Sequence, residues 1–154
     1  MINAKIENGY VRRWEEFQFL PNIADWIRLF QALDFLVIVV TNQRGVALGL
    51  MTEADLAAIH ERMAEELARQ GARVDDVFAC PHQEGVCECR KPKPGLVYQA
   101  REKWDIDLAG SLFIGDSDSD EELARVCGLK FLRAERGRLR METSGAAPVS
   151  GRTA

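Results

Sequence analysis

The chain has 154 residues, 47% hydrophobic and 29% charged, a balance that fits one soluble globular domain and not a disordered, collagenous or coiled-coil chain. Twenty basic residues against twenty-four acidic ones give a net charge of −4, which argues against a general nucleic-acid binder, whose affinity rests on neutralising phosphates. The longest apolar run, residues 35–40, is too short to span a bilayer, and the polar N-terminus, with Lys5, Glu7, Arg12 and Arg13, holds no signal-peptide core.

Residues 1–20 are mixed and carry no clear period. Residues 22–33 read as a helix, because Ile23, Trp26, Ile27, Phe30 and Leu33 share one face. Residues 35–40 are short, continuous and β-branched, which predicts a strand buried on both faces of a parallel sheet. The segment 41–45, TNQRG, then reads as a polar loop.

Thr52 with Asp55 three residues on marks a helix start, and Leu56, Ile59, Met63 and Leu67 form its inner stripe up to about Gln70. Gly71 is a natural stop. A second strand is expected over 74–79, followed by a loop rich in Cys and His. Pro94 opens a helix to about Trp104. A third strand over 111–114 leads into Gly115-Asp116, a short helix spans 121–127 with Asp118 or Ser119 as its cap, and a fourth strand covers 130–132. Alternating strands and helices predict an α/β fold with a mostly parallel sheet. One domain is expected over 1–141, with a disordered tail over 142–154, rich in Ser, Gly, Ala, Thr and Pro.

Four motifs carry chemistry. Cys80, His82, Cys87 and Cys89 offer three thiolates and one imidazole from a single loop, the tetrahedral set of a structural Zn²⁺. Four protein ligands leave no open position, and clustered cysteines point to a reducing cytosol. Next comes Arg90-Lys91-Pro92-Lys93-Pro94, a stiffened cationic loop suited to a phosphate group. Asp116, just past a strand, sits where α/β folds place ligands, and its hard carboxylate suits Mg²⁺. Thr41, Asn42 and Gln43 could bond phosphate oxygens at the end of the first strand.

Together, TNQ after a buried strand, CPH…CxCRKPKPG, and an apolar strand ending in GD resemble the haloacid-dehalogenase (HAD) superfamily. The nearer likeness is to its zinc-loop branch of heptose 1,7-bisphosphate and histidinol-phosphate phosphatases, over residues 2–132; GLVYQA at 95–100 fits the heptose side better. The resemblance implies a Rossmann-like three-layer fold and a two-step phosphatase, in which an Asp attacks phosphorus and water then frees the enzyme. It implies that Thr41 holds the phosphoryl group, Lys91 neutralises its charge, Asp116 binds Mg²⁺, and Asn42, Gln43, Arg44 and Arg90 meet the substrate. The substrate would be a small phosphorylated metabolite; no nucleic acid or membrane is implied, a cytoplasmic monomer is the default, and zinc and magnesium are the expected metals.

Departures from the pattern are equally plain. The family's nucleophile lies in a central apolar strand ending D-x-D-G, shortly before an "IN" pair. Ile2-Asn3 match that pair, and the 154 residues contain no D-x-D-G. The first strand therefore reads as truncated, and the chain as written as inactive. Arg44 replaces a small polar residue, Leu48 an Arg, and Ser117 a Lys common in the heptose branch. An inactive binding relative and a small zinc-binding interaction module are the competing readings.

Overall fold

The computed structural model describes residues 2–6, 9–135 and 138–141. In chain order it holds α1 (Ile23–Ala32), β1 (Ile38–Asn42), α2 (Arg44–Ala47), α3 (Glu53–Arg69), β2 (Asp76–Cys80), α4 (Gly95–Trp104), β3 (Leu112–Gly115), α5 (Asp118–Cys127), β4 (Lys130–Glu135) and β5 (Arg138–Met141). The fold is α/β, and β1 pairs parallel with β2 and β3 parallel with β4. Strand β5 adds an antiparallel edge to β4 that the sequence did not suggest. The tail expected to be disordered lies outside the described residues.

Helices cover both faces because strand side chains alternate. Val37 and Val39 pack with Ala24 and Ile27 of α1 and Met63 and Leu67 of α3. Val40 turns the other way, onto a cluster of Val97 from α4, Phe113 from β3, and Leu123, Ala124 and Cys127 from α5. The stripe expected on α3 is buried throughout, and Thr52 closes a capping box with Asp55.

Some boundaries moved. Phe35 and Leu36 precede β1, since Asp34 adopts a left-handed φ of 61° and the Phe35 N–H closes a turn onto the Phe30 carbonyl. The strand instead runs on through Thr41 and Asn42, where Ala79 and Cys80 of β2 supply partners. Arg44–Ala47 is one turn of helix and not loop. Helix α5 starts three residues early, capped by Ser117 and not by Asp118 or Ser119.

The two sheets are separate: β1 pairs only with β2, and β3 only with β4, among the described strands. Gln43 N–H donates to the Cys80 carbonyl and Asp75 N–H to the Val37 carbonyl, so odd-numbered residues of β1 face β2. The backbone groups of Ile38 and Val40 point the other way. A cavity of about 370 Å³ lies there, lined by Ile38 and Val40 of β1 and by Leu112 and Phe113 of β3. The described residues of the N-terminal stretch do not fill it. Asn3 bridges Phe19, Ala4 N–H donates to the Gln18 carbonyl, and Leu20 N–H to the Ile2 carbonyl. Trp14 stacks on Phe17 and Phe19 meets both edge-on, with ring centres 5.0–6.1 Å apart, and the three pack against the α1–α3 cluster.

Candidate active site

Lys91 follows β2 and the cysteine loop, yet its backbone is fastened to β1. Asn42 Nδ2 donates to the Lys91 carbonyl at 3.1 Å, and the Lys91 N–H donates to Asn42 Oδ1 at 3.0 Å. The ammonium donates to the Val40 carbonyl at 3.1 Å and to Oδ1 of Asp120 at 2.7 Å. Asp120 is buried, with 5% of its side chain exposed, and Lys91 is partly buried, with 14% exposed. One lysine thus ties the loop that follows the cysteines to the C-terminal end of β1 and the start of α5.

Asp120 is the residue that sequence reasoning missed. It lies in the first turn of α5, in line with Leu123, Ala124 and Cys127 on the buried stripe. A carboxylate on an apolar stripe is the signal that could have found it. Its Oδ2 accepts from the Ser117 hydroxyl at 2.7 Å and from the N–H groups of Asp116 and Ser117, each at 3.2 Å. Burial alone would push the carboxyl up; the Lys91 ammonium, the Ser117 hydroxyl and the Asp116 N–H outweigh it and hold the group below its ordinary 3.8. Gly115 makes room for it, since a Cβ there would lie 2.3 Å from the Asp120 Cβ.

Two of the expected site residues, Thr41 and Asp116, adjoin this pair. Thr41 is next to Val40 on β1, and Gln43 Nε2 donates to its hydroxyl at 3.0 Å. Asp116 stands at the end of β3 with its side chain exposed and its N–H on Asp120. Thr41, Lys91 and Asp116 therefore share one end of the strands, where ligands of α/β folds sit. Arg44 opens α2, which is held to the cysteine loop by the Ala47 N–H on the Pro81 carbonyl. Arg44 Nε and Arg90 Nη1 are buried and meet no hydrogen-bond partner among the described residues. Two guanidinium donors so placed suit an anionic ligand. Asn42 commits one donor and one acceptor to the Lys91 backbone.

Cys80, His82, Cys87 and Cys89 converge without a disulfide, and their ligand atoms lie within 4.8 Å of one another. Cys80 Sγ is 3.6 Å from Cys87 Sγ and 3.0 Å from Cys89 Sγ, and His82 Nδ1 is 3.2 Å from Cys89 Sγ. A tetrahedral ion with metal–sulfur bonds of about 2.3 Å needs sulfurs about 3.8 Å apart; the Cys80–Cys87 pair is near that, the Cys80–Cys89 pair must open around the ion, and the donor set of three sulfurs and one imidazole suits zinc. Burial pushes the Cys87 thiol up, but the Arg90 N–H and the neighbouring thiols bring it down to about 6. Burial and the Cys80 and Cys87 sulfurs drive Cys89 up to about 12. Three sulfurs this close resist joint ionisation, and a central divalent cation removes that conflict.

The cysteine loop is itself anchored. Gly95 N–H donates to the Glu88 carbonyl at 3.0 Å, and a Cβ on Gly95 would lie 2.5 Å from that oxygen. The Lys91–Pro92 peptide bond is cis.

Among the described residues no helix is long and apolar enough to cross a membrane. Residues 88–150 match the HAD-hydrolase-like family. The D-glycero-beta-D-manno-heptose-1,7-bisphosphate 7-phosphatase of Rhodopseudomonas palustris is 42% identical over 82% of this chain and 74% of its own length. The D-glycero-alpha-D-manno-heptose-1,7-bisphosphate 7-phosphatase of Campylobacter jejuni is 41% identical over 75% of this chain and 66% of its own. The chain thus spans between two thirds and three quarters of the length of such relatives. The crystal structure of D,D-heptose 1,7-bisphosphate phosphatase from B. bronchiseptica, complexed with magnesium and phosphate, superposes with a TM-score of 0.78 at 37% identity. That match covers 84% of this chain and 73% of the other.

Proposed function

Because the chain belongs to the HAD-hydrolase-like family, in its heptose 1,7-bisphosphate phosphatase branch, we propose that it serves hydrolysis of a phosphomonoester on a heptose 1,7-bisphosphate. The observation that carries this reading is the Lys91 ammonium, held between the Val40 carbonyl and Asp120 at the ends of the strands. In the proposed reaction the Thr41 hydroxyl and Lys91 bind the phosphoryl oxygens. Lys91 stabilises the charge that builds on them, and Asp120 fixes Lys91. Arg44 and Arg90, with their buried free donors, hold the rest of the anionic substrate. Asp116, exposed beside this cluster, would hold Mg²⁺, with phosphate and water completing its oxygen shell. The bound ion would supply charge neutralisation at the phosphoryl group.

Covalent chemistry needs a carboxylate nucleophile to take the phosphoryl group while the phosphorus–oxygen ester bond breaks. Water then cleaves the acyl phosphate and returns the carboxylate. We assign that nucleophile to an apolar strand ending D-x-D-G, outside these 154 residues, seated between β1 and β3. The 154 residues alone would then turn nothing over. Cysteines kept as thiols for a metal suit a reducing compartment, which supports a cytoplasmic reading.

The test is Mg²⁺-dependent phosphate release from both anomers of the bisphosphate. It compares the 154-residue chain with one extended upstream by an apolar D-x-D-G strand. Release by the extended chain alone is expected. Failure of both chains would end the phosphatase reading, and turnover by the short chain would mean that a residue within it is the nucleophile. Arg44→Ala and Arg90→Ala in the extended chain should raise KM more than they lower kcat.

A further inference from the structure

The segment from Cys87 to the start of helix α4 is closed on itself by one side chain. Lys93 Nζ reaches back to donate to the Cys87 carbonyl at 2.9 Å and to Oε1 of Glu88 at 2.7 Å. The Lys93 N–H donates to the Arg90 carbonyl at 2.9 Å. Residues 88–92, which include Arg90 and Lys91, are therefore enclosed between Cys87 and Lys93.

The two ammonium contacts differ in weight. Glu88 is 85% exposed, and an ion pair so open to water contributes little. The Cys87 carbonyl belongs to a metal-ligating residue, so the donor placed on it fixes that residue's backbone. Charge adds a second reason. One divalent zinc, three thiolates and a neutral imidazole sum to −1, and a lysine held against the ligand backbone offsets that excess. Glu84 and Glu88 are both exposed acidic residues of this loop and would increase the excess. Arg90 and Lys91 are the loop's other cations, and Lys91 is already committed to Asp120. Partners one step beyond the ligands commonly change metal affinity by about 10–100-fold.

We propose that Lys93 is a positioning residue for the zinc centre: by closing residues 87–93 and offsetting the charge of the metal–thiolate set, it retains the metal and thereby fixes Arg90 and Lys91. This inference rests on the zinc reading of the cysteine loop and goes beyond it to a residue that is not a ligand.

The experiment is competition for zinc between the purified 154-residue chain and a chromogenic chelator. It uses the parent and Lys93→Met, Lys93→Gln, Lys93→Arg and Glu88→Gln. Met keeps the stem and removes charge and donor; Gln stands in for it if the Met variant aggregates. Both should hold zinc at least about tenfold more weakly. Arg should restore retention to within about threefold of the parent, and Glu88→Gln should stay within about twofold. Circular dichroism of the zinc-loaded proteins should be unchanged, separating a lost metal from a lost fold. Parent-like retention in the Met and Gln variants, or equal loss in the Arg variant, overturns the proposal. A parent chain that carries no zinc would instead overturn the metal reading on which it rests.

Discussion

The Lys91 ammonium lies 2.7 Å from Oδ1 of Asp120, and these two side chains, 29 residues apart, are the charged centre of the candidate site. Asp120 is nearly sealed from water and Lys91 largely so, so loss of either partner leaves a poorly solvated charge behind.

Asp120→Asn should therefore destabilise the fold by about 2–4 kcal/mol, read by urea unfolding at neutral pH. The loss should depend on pH. The folded carboxyl lies below its ordinary 3.8, so its contribution is complete above that value and disappears as pH falls through the lower, folded one. Parent and variant should draw together as pH drops from about 5 towards 2. A gap that stays constant over that range would show that charge is not what the variant removes.

Gly115→Ala should cost about 1–3 kcal/mol, because the added Cβ meets the Asp120 side chain at 2.3 Å. Both the melting temperature and the Lys91–Asp120 contact should suffer. A variant that melts like the parent, with the ion pair intact in its crystal structure, would show that the helix start yields freely.

Elemental analysis should find about one zinc per chain, with zinc–sulfur distances near 2.3 Å by X-ray absorption. Chelation should lower the melting temperature, since the binding free energy of a structural metal is folding free energy. Cys89→Ala should do the same. A metal-free protein of unchanged stability would remove zinc from the account.

Amide exchange should alternate along β1. The N–H groups of Val39 and Thr41 face β2, whereas those of Ile38 and Val40 face the cavity between the sheets. Ile38 and Val40 should exchange faster, and the upstream D-x-D-G extension should slow them and raise the melting temperature. Equal protection in the short chain would mean that the cavity edge is already satisfied.

Periodic patterns revealed most of the scaffold. The α3 stripe of Leu56, Ile59, Met63 and Leu67 and its Thr52 cap could be read because helix spacing and capping chemistry are local. The metal loop was legible for the same reason, with all four ligands in ten residues. What stayed hidden depends on partners distant in sequence. Strand β1 extends through Thr41 and Asn42 because β2 offers ladder partners there, and no propensity of TN announces that. In sequence Asp120 is one of several acidic residues near a helix start, and only Lys91, 29 residues away, makes it a buried ion-pair partner. Asn42 read as a candidate ligand for phosphate, while its contact with the Lys91 backbone spans 49 residues.

That Asn42 contact has a thermodynamic consequence. Its side-chain amide forms with Lys91 the same two-way exchange that one peptide unit makes with its neighbour across a ladder, so it acts as one more rung at the last residue of β1. Lys91 is thereby held to the sheet and not only to its loop. A free lysine side chain gives up about 2 kcal/mol of rotamer entropy when it is ordered. With the backbone fixed by Asn42, the Val40 carbonyl and Asp120 order the side chain in the folded protein, so an arriving anion meets an ammonium that has already lost its freedom, and little of its binding energy goes into stilling it.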